Sequence, residues 1–185
     1  MKTIRYSAIL LVLVLFGCAF TGLNAALAET AAEIDRDVQK TLKGLYAESP
    51  AAKSLGQKAK GVLVFPSIIK GGFLIGGQYG EGALLKNGTN AGYYNTVQVS
   101  YGLQAGLQKH GYVLFFMTED AMKWLDRSDG WELGVGPSIV VVDEGMATAQ
   151  TTTTLQSDIY AFFFDQRGLM GGLGLQGTKV TRINK

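Results

Sequence analysis

The feature that most constrains this chain is a strict two-residue alternation over the twelve positions 97–108. The even positions carry only Gln, Ser or Gly. The odd positions are apolar or aromatic: Val97, Val99, Tyr101, Leu103, Ala105 and Leu107. Because successive side chains of a β-strand point to opposite faces, this pattern predicts a strand with one face in a core and one face in solvent.

Continuous apolar runs elsewhere predict strands that are more deeply buried. Residues 61–65 form one such run, which Pro66 is expected to end, and residues 112–117 form another. Between the runs, Asn87 and Gly88 form a dipeptide that strongly favours a tight hairpin turn. The chain is therefore expected to build much of its core from strands.

Helical periodicity is confined to the N-terminal part and one short segment in the middle of the chain. Residues 30–47 are predicted to form a helix, followed by a second that Ser49 caps and Pro50 begins. Thr118 is predicted to cap a short helix over 119–126. The buried stripe of the first helix is expected to be Ile34, Val38, Leu42 and Leu45.

Strands that follow one another without intervening helices argue against a doubly wound fold. The sequence instead predicts an α+β fold. Its sheet is expected to be mostly antiparallel, closed or sandwich-like, with about eight to ten strands. Two helices precede the sheet, and one short helix interrupts it.

The first 28 residues have the plan of a secretory signal peptide. Lys2 and Arg5 begin it, an apolar run over residues 8–16 follows, and small residues lead to Ala28. The apolar run is too short to cross a membrane as a helix. We expect residues 1–28 to be removed and residues 29–185 to form a single domain in the periplasm.

Cys18 supports a second interpretation of the same segment. Residues 15–18 can be interpreted as a bacterial lipobox, in which case Cys18 is lipidated and the protein is a membrane-anchored lipoprotein. Because Cys18 is the only cysteine, neither interpretation allows an internal disulfide.

Charge and residue types limit the partners and the chemistry. Of 17 basic residues, two lie in the predicted leader, and the 15 acidic residues balance the others. A neutral domain without a basic run is not expected to bind nucleic acid. A single His and a single Cys also argue against a zinc site with nitrogen and sulfur ligands. We expect neither a metal nor a cofactor.

Catalytic motifs are absent or lack the required context. Residues 172–177 match G-x-G-x-x-G, but only eight residues follow, which leaves no room for a dinucleotide-binding unit. No serine lies in a G-x-S-x-G sequence. His110 lies in a predicted turn over 109–111 and is expected at the surface.

Carboxylates leave a hydrolase open as a minor alternative, because two of them could pair as acid and base. The candidates are Glu81, Glu132, Asp143, Glu144 and Asp165.

Four lysines provide a more definite candidate site. Lys53, Lys58, Lys60 and Lys70 fall within eighteen residues that contain no acid. If they share one face, they would attract anionic lipid headgroups by about 1 kcal/mol per charge. An ordinary solvated surface is the alternative.

Six ordered motifs carry a resemblance to a known family. They are Gly61-Val62-Leu63-Val64-Phe65-Pro66, Gly76-Gly77-Gln78-Tyr79-Gly80-Glu81-Gly82, Tyr93-Tyr94-Asn95, Ser100-Tyr101-Gly102-Leu103-Gln104-Ala105-Gly106, Gly130-Trp131-Glu132-Leu133-Gly134 and Gly168-Leu169-Met170. Together they resemble the SYLF domain family, the Ysc84-type actin-binding domain, over residues 30–185. The resemblance implies a non-enzymatic module that binds acidic phospholipids, and some eukaryotic relatives also bind actin.

In relatives, an N-terminal amphipathic helix and nearby basic residues are implicated in lipid contact, and residues 30–47 supply that helix here. We therefore predict a phospholipid-binding module of the bacterial cell envelope whose partner is an anionic membrane surface. The alternative is a periplasmic structural or protein-interaction domain without a lipid ligand. The sequence indicates no particular protein partner.

Overall fold

The computed structural model describes residues 29–127, 129–142, 157–167, 175 and 177–185, with backbone alone at 72–75, 100–107 and 165–167. The chain divides into two units, Met1–Thr30 and Ala31–Lys185, and the second is compact by itself. The predicted leader with Cys18 lies outside the described residues.

The helices match the sequence pattern closely. Helix α1 spans Ala31–Glu48, and its four predicted stripe residues are buried. Helix α2 spans Pro50–Lys58, and the Ser49 hydroxyl caps it by accepting a hydrogen bond from the Ala52 amide. Helix α3 spans Glu119–Met122 and continues as a 3₁₀ turn over Lys123–Asp126.

Six strands are described, and they form one sheet. They are β1 (Gly61–Lys86), β2 (Thr89–Phe116), β3 (Trp131–Glu132), β4 (Ile139–Val142), β5 (Ile159–Arg167) and β6 (Lys179–Ile183). The order is β3-β6-β2-β5-β4. Strands β5 and β6 pair with different parts of one edge of β2, and β1 pairs along its opposite edge. Only β4 and β5 run parallel. The predicted α+β class, with a mostly antiparallel, curled sheet, two N-terminal helices and a short mid-chain helix, is confirmed.

Strands β1 and β2 form a single long antiparallel ribbon, joined by the predicted turn at Asn87 and Gly88, both with positive φ. The expectation that Pro66 ends a strand is wrong. Pro66 instead lies at an irregularity of the ladder between Phe65 and Ile68, where a missing N–H costs no ladder bond. The predicted turn at 109–111 is also wrong, because strand β2 continues through these residues and His110 pairs with Ile68 of β1.

The ribbon folds back on itself. The Tyr112 hydroxyl donates a hydrogen bond of 2.8 Å to Thr96 Oγ1, although sixteen residues separate them along β2. An extended strand of that length would span about 50 Å. At the crossing, a Cβ on Gly82 would overlap the Val64 carbonyl oxygen, so only glycine allows the two halves of β1 to approach this closely.

The two faces of the ribbon contribute to two separate cores. The helix face is covered by α1 and α2, and the inner face packs against the rest of the curled sheet. Helix-face residues are Val62, Val64, Ala83, Leu85, Val113 and Phe115. Inner-face residues are Leu63, Phe65, Ile68, Leu84, Tyr94, Tyr112, Leu114 and Phe116. Because both faces are buried here, the strands are apolar at every position rather than alternating.

We call the bend the part of the ribbon where Ile69–Tyr79 pairs with Val97–Lys109. The alternating segment lies here and is a strand, as predicted. Its expected orientation is wrong wherever side chains are described: Val99 is 59% exposed, whereas Gln108 is only 8% exposed. The fold-back turns Gln108 toward the inner face, and Val97 and Val99 remain uncovered on the other.

Candidate functional site

A groove between the two N-terminal helices is the candidate site. Its volume is about 630 Å³. It is lined by Gln39, Lys40, Leu42, Lys43, Tyr46 and Ala47 of α1 and by Lys53 of α2. Three ammonium groups therefore surround one concave surface whose floor is partly apolar.

Helical spacing explains why these lysines converge. Lys40 and Lys43 are three residues apart on α1, which places them on neighbouring positions of one helix flank. Lys53 comes from α2, whose direction is set by the short link at Ser49. The same α1 turns bury Leu42 and Leu45 against the sheet, so the lysines must face away from the core.

Tyr46 holds the two helices together at the groove wall. Its ring stacks on Phe115 of β2, with centroids 6.4 Å apart. Its hydroxyl lies against Gly56 of α2, where a Cβ would overlap it. Burial raises the pKa of Tyr46 above its usual value, so it remains a neutral hydrogen-bonding group beside the lysines.

Three of the four acids of α1, Glu33, Asp35 and Asp37, lie in its first two turns, and the fourth, Glu48, ends the helix. Asp35 accepts hydrogen bonds from the side chains of Asn90 and Tyr93, which anchors the start of α1 to the ribbon. Asp37 is paired with Arg36, whose hydrogen bond lowers the pKa of that carboxyl. The residues that line the groove therefore include three lysines and no acid, and Glu48 lies next to the lining residue Ala47 without being part of the lining.

The structure places three of the four predicted lysines on the helix side of the molecule. Lys53 lines the groove. Lys58 ends α2, and Lys60 follows it with an exposed side chain, while the Lys60 amide bonds the Phe116 carbonyl.

Lys70 does not share that face. It lies on the inner side of the bend, opposite Gln108, and is 8% exposed. Lys70 is close to the other lysines along the chain, but strand β1 places it away from them in space. Sequence reasoning missed Lys40 and Lys43, although their spacing on a predicted helix was an available signal.

Of the five carboxylates considered for catalysis, two have described side chains. Glu81 accepts hydrogen bonds from the Tyr79 hydroxyl at 2.6 Å and from the Lys185 ammonium at 2.7 Å. Glu132 is exposed on β3. The other three candidates, Asp143, Glu144 and the side chain of Asp165, lie outside the described residues.

His110 was expected at the surface, but this residue of β2 is buried, and Lys70 of β1 lies near it. Desolvation, and secondly the charge of Lys70, lower the pKa of His110. Within the described residues, no three His, Cys, Asp or Glu side chains are grouped so that they could hold a metal ion. No helix in this part of the chain has the length and apolarity to cross a membrane.

A family model described as Las17-binding protein actin regulator (Ysc84) matches residues 97–185, from the bend in β2 to the end of the chain. No curated protein matches the chain. The matched segment contains β3 to β6 and most of β2, whereas the groove between α1 and α2 precedes it.

Proposed function

We propose that this chain, whose residues 97–185 match the Ysc84 family model, is a non-enzymatic SYLF-type module that binds anionic phospholipid at a membrane surface. The observation that carries the proposal is the groove in which Lys40, Lys43 and Lys53 converge. The family match is consistent with a lipid- or actin-binding domain.

The charge of the groove sets the scale of the expected affinity. A lysine near an anionic bilayer surface contributes about 1 kcal/mol, so three lysines together contribute about 3 kcal/mol. That corresponds to roughly a hundredfold in the partition coefficient. Because exposed charges are screened beyond about 3 Å at 1 M salt, this contribution is expected to disappear at high ionic strength.

Vesicle flotation tests the proposal directly. Residues 29–185 contain the compact unit without the apolar leader, so the leader cannot cause binding. We expect flotation with vesicles that contain phosphatidylserine or phosphatidylglycerol and not with pure phosphatidylcholine. Replacing Lys40, Lys43 and Lys53 by Ala should lower the partition coefficient roughly a hundredfold.

A matched control removes the same charge elsewhere. Lys86, Lys123 and Lys179 are exposed and lie outside the groove lining. Their replacement by Ala should leave binding largely intact. Equal losses in both triple variants would mean that net charge, and not the groove, attracts the lipid. If the wild-type chain floats with no anionic vesicle, the alternative of a structural or protein-interaction domain is favoured.

We further propose that the protein is exported to the bacterial cell envelope. Two mature forms follow from the leader: a periplasmic protein that begins at Glu29, or a lipoprotein anchored through Cys18. The intact mass of the mature protein distinguishes a chain starting at Glu29 from one that starts at a diacylated Cys18.

A further inference from the structure

Where its side chains are described, the bend of the ribbon has apolar residues outside and polar residues inside. Ile69 is 43% exposed, and its neighbour Lys70 is among the buried residues. Val97 is 38% exposed, and its neighbour Thr96 is fully buried. Val99 is likewise exposed, whereas the polar side chain of Gln108 is buried. Each strand of the bend is therefore inverted relative to a strand that faces water.

The inner side of the bend is polar throughout the part with described side chains. Buried on it are Lys70, Gln78, Gln108 and His110. Among the described residues, His110 Nδ1 has no hydrogen-bond partner. A one-residue shift of register would exchange the two faces and bring the valines inside. Burying these polar side chains while the valines face water is unfavourable in an aqueous environment. A sequence that keeps this arrangement is adapted to an apolar environment on the outside of the bend, as in strands that contact lipid.

The outer side of the bend continues the surface that carries the basic groove. Ile69, Val97 and Val99 lie on the helix face of the ribbon, the face against which α1 and α2 pack. Lys109 is exposed on the same face, opposite Ile69. Lys109 also lies close enough to α1 to lower the pKa of Asp37, after the larger effect of Arg36. The apolar residues thus lie beside the helix that supplies two groove lysines.

The charge of this region indicates which kind of surface would cover it. Residues 69–79 and 97–109 contain no acidic residue, and of their two lysines Lys109 is exposed on the outer face, whereas Lys70 is buried on the inner side. An apolar surface next to cations is complementary to an anionic bilayer, whose headgroups attract the lysines and whose acyl chains accept apolar side chains. A partner protein that matched this face would have to supply both an apolar patch and a separate acidic patch.

We propose that the outer side of the bend, with Ile69, Val97 and Val99, inserts into the interfacial region of the bilayer. The lysines of the groove then lie at the level of the phosphates. This inference rests on the proposed function and adds to it a second, apolar mode of contact. It assigns the anionic headgroups to α1 and α2 and the acyl-chain boundary to the ribbon.

A fluorescent label on the bend tests insertion. Residues 29–185 contain no cysteine, so a Val99→Cys variant carries one thiol for an environment-sensitive dye. The matched control is Val135→Cys, since Val135 is 51% exposed but lies in the segment after β3. With phosphatidylglycerol vesicles, we expect a blue shift at Val99, together with quenching by lipids that carry a quencher on the acyl chain. The label at Val135 should show neither.

A second variant measures the apolar contribution without any label. Replacing Ile69, Val97 and Val99 by Thr keeps β-branched side chains in the strands and removes apolar surface. We expect at least a tenfold loss of partitioning, mainly in the fraction that resists high salt, since burial of a single aliphatic side chain accounts for about that factor.

The outcomes separate this proposal from the function it rests on. If vesicles bind but the label at Val99 stays in water, insertion is wrong and binding through the groove stands. If the label at Val99 is buried without vesicles as protein concentration rises, the face is an interface between copies of the chain, and insertion is again wrong. If no vesicle binds, both proposals fail.

Discussion

The covered half of the ribbon and its bend are built from the same two strands but differ in what lies against the helix face. In the covered half, α1 and α2 lie over Val113 and Phe115, and Leu114 between these two residues is buried on the inner face. In the bend, Val97 and Val99 occupy the same face of β2 without a cover. Strand geometry is common to both regions, so the cover decides which residues each face requires.

This difference shows how one ribbon supports two roles. Where both faces are buried, the strands are apolar at every position and supply stability. Where one face is left uncovered, apolar side chains on it contribute little to folding and are available for another surface. The comparison can be tested by changing one residue in each region.

The largest expected effect is the loss of an aromatic side chain in the covered half. Phe115 is fully buried and contacts both Tyr46 and Phe162 by ring packing. Phe115→Ala should lower the free energy of unfolding by about 3–5 kcal/mol, because it removes apolar burial and leaves a cavity. Urea denaturation of residues 29–185 measures this loss.

Val99 provides the counterpart on the same face of the same strand. Val99→Ser should change the free energy of unfolding by no more than about 0.5 kcal/mol, since the side chain already contacts water. A loss at Val99 comparable to that at Phe115 would show that the bend is covered in solution, and the contrast between the two regions would be wrong.

An effect smaller than that at Phe115 is expected where the two halves of β1 meet. A Cβ on Gly82 would overlap the Val64 carbonyl oxygen, which is backbone and cannot rotate away. Gly82→Ala should therefore cost about 1–3 kcal/mol. Gly77→Ala in the bend is the control, because the nearest atom to its Cβ is the Gln98 carbonyl oxygen at 3.8 Å. Thermal unfolding of the two variants gives the comparison, and equal melting temperatures would argue against the fold-back.

Local features of this fold could be predicted from the sequence, because their causes are local. The stripe on α1 follows from the period of the helix, and the start of α2 follows from the hydroxyl of Ser49 and the ring of Pro50. The turn after β1 follows from Asn87 and Gly88, which tolerate positive φ.

Features that depend on distant contacts could not be predicted. Alternation shows that a strand has two faces, but the partner packed against it decides which face lies inside, and this reversed the expectation for Val99 and Gln108. His110 was placed in a turn because nothing local shows that Ile68 pairs with it. The groove was only partly predicted, since Lys53 joins Lys40 and Lys43 through the packing of α2 on α1.

The smallest expected effect concerns the polar inner side of the bend and is a dependence on pH. Burial lowers the pKa of His110 in the folded protein, with a further decrease from the charge of Lys70. In the unfolded chain its pKa returns to about 6.5. As the pH falls below that value, the unfolded chain binds a proton before the folded one does, so the free energy of unfolding decreases. Above about pH 7.5 the contribution of His110 is constant.

His110 is the only histidine of the chain, so the slope between pH 7.5 and 5.5 can be assigned to it. The charged group known to face it is Lys70, and the Phe163 ring lies 6.2 Å away. A His110→Gln variant, which places on the inner side the residue type found at Gln108, should lose the slope while keeping the fold. Urea denaturation across this pH range measures it. Absence of a slope would mean that His110 is hydrated in the folded protein, and a rise of stability on acidification would mean that the folded protein stabilises the protonated imidazole; either result would contradict the burial of a neutral His110.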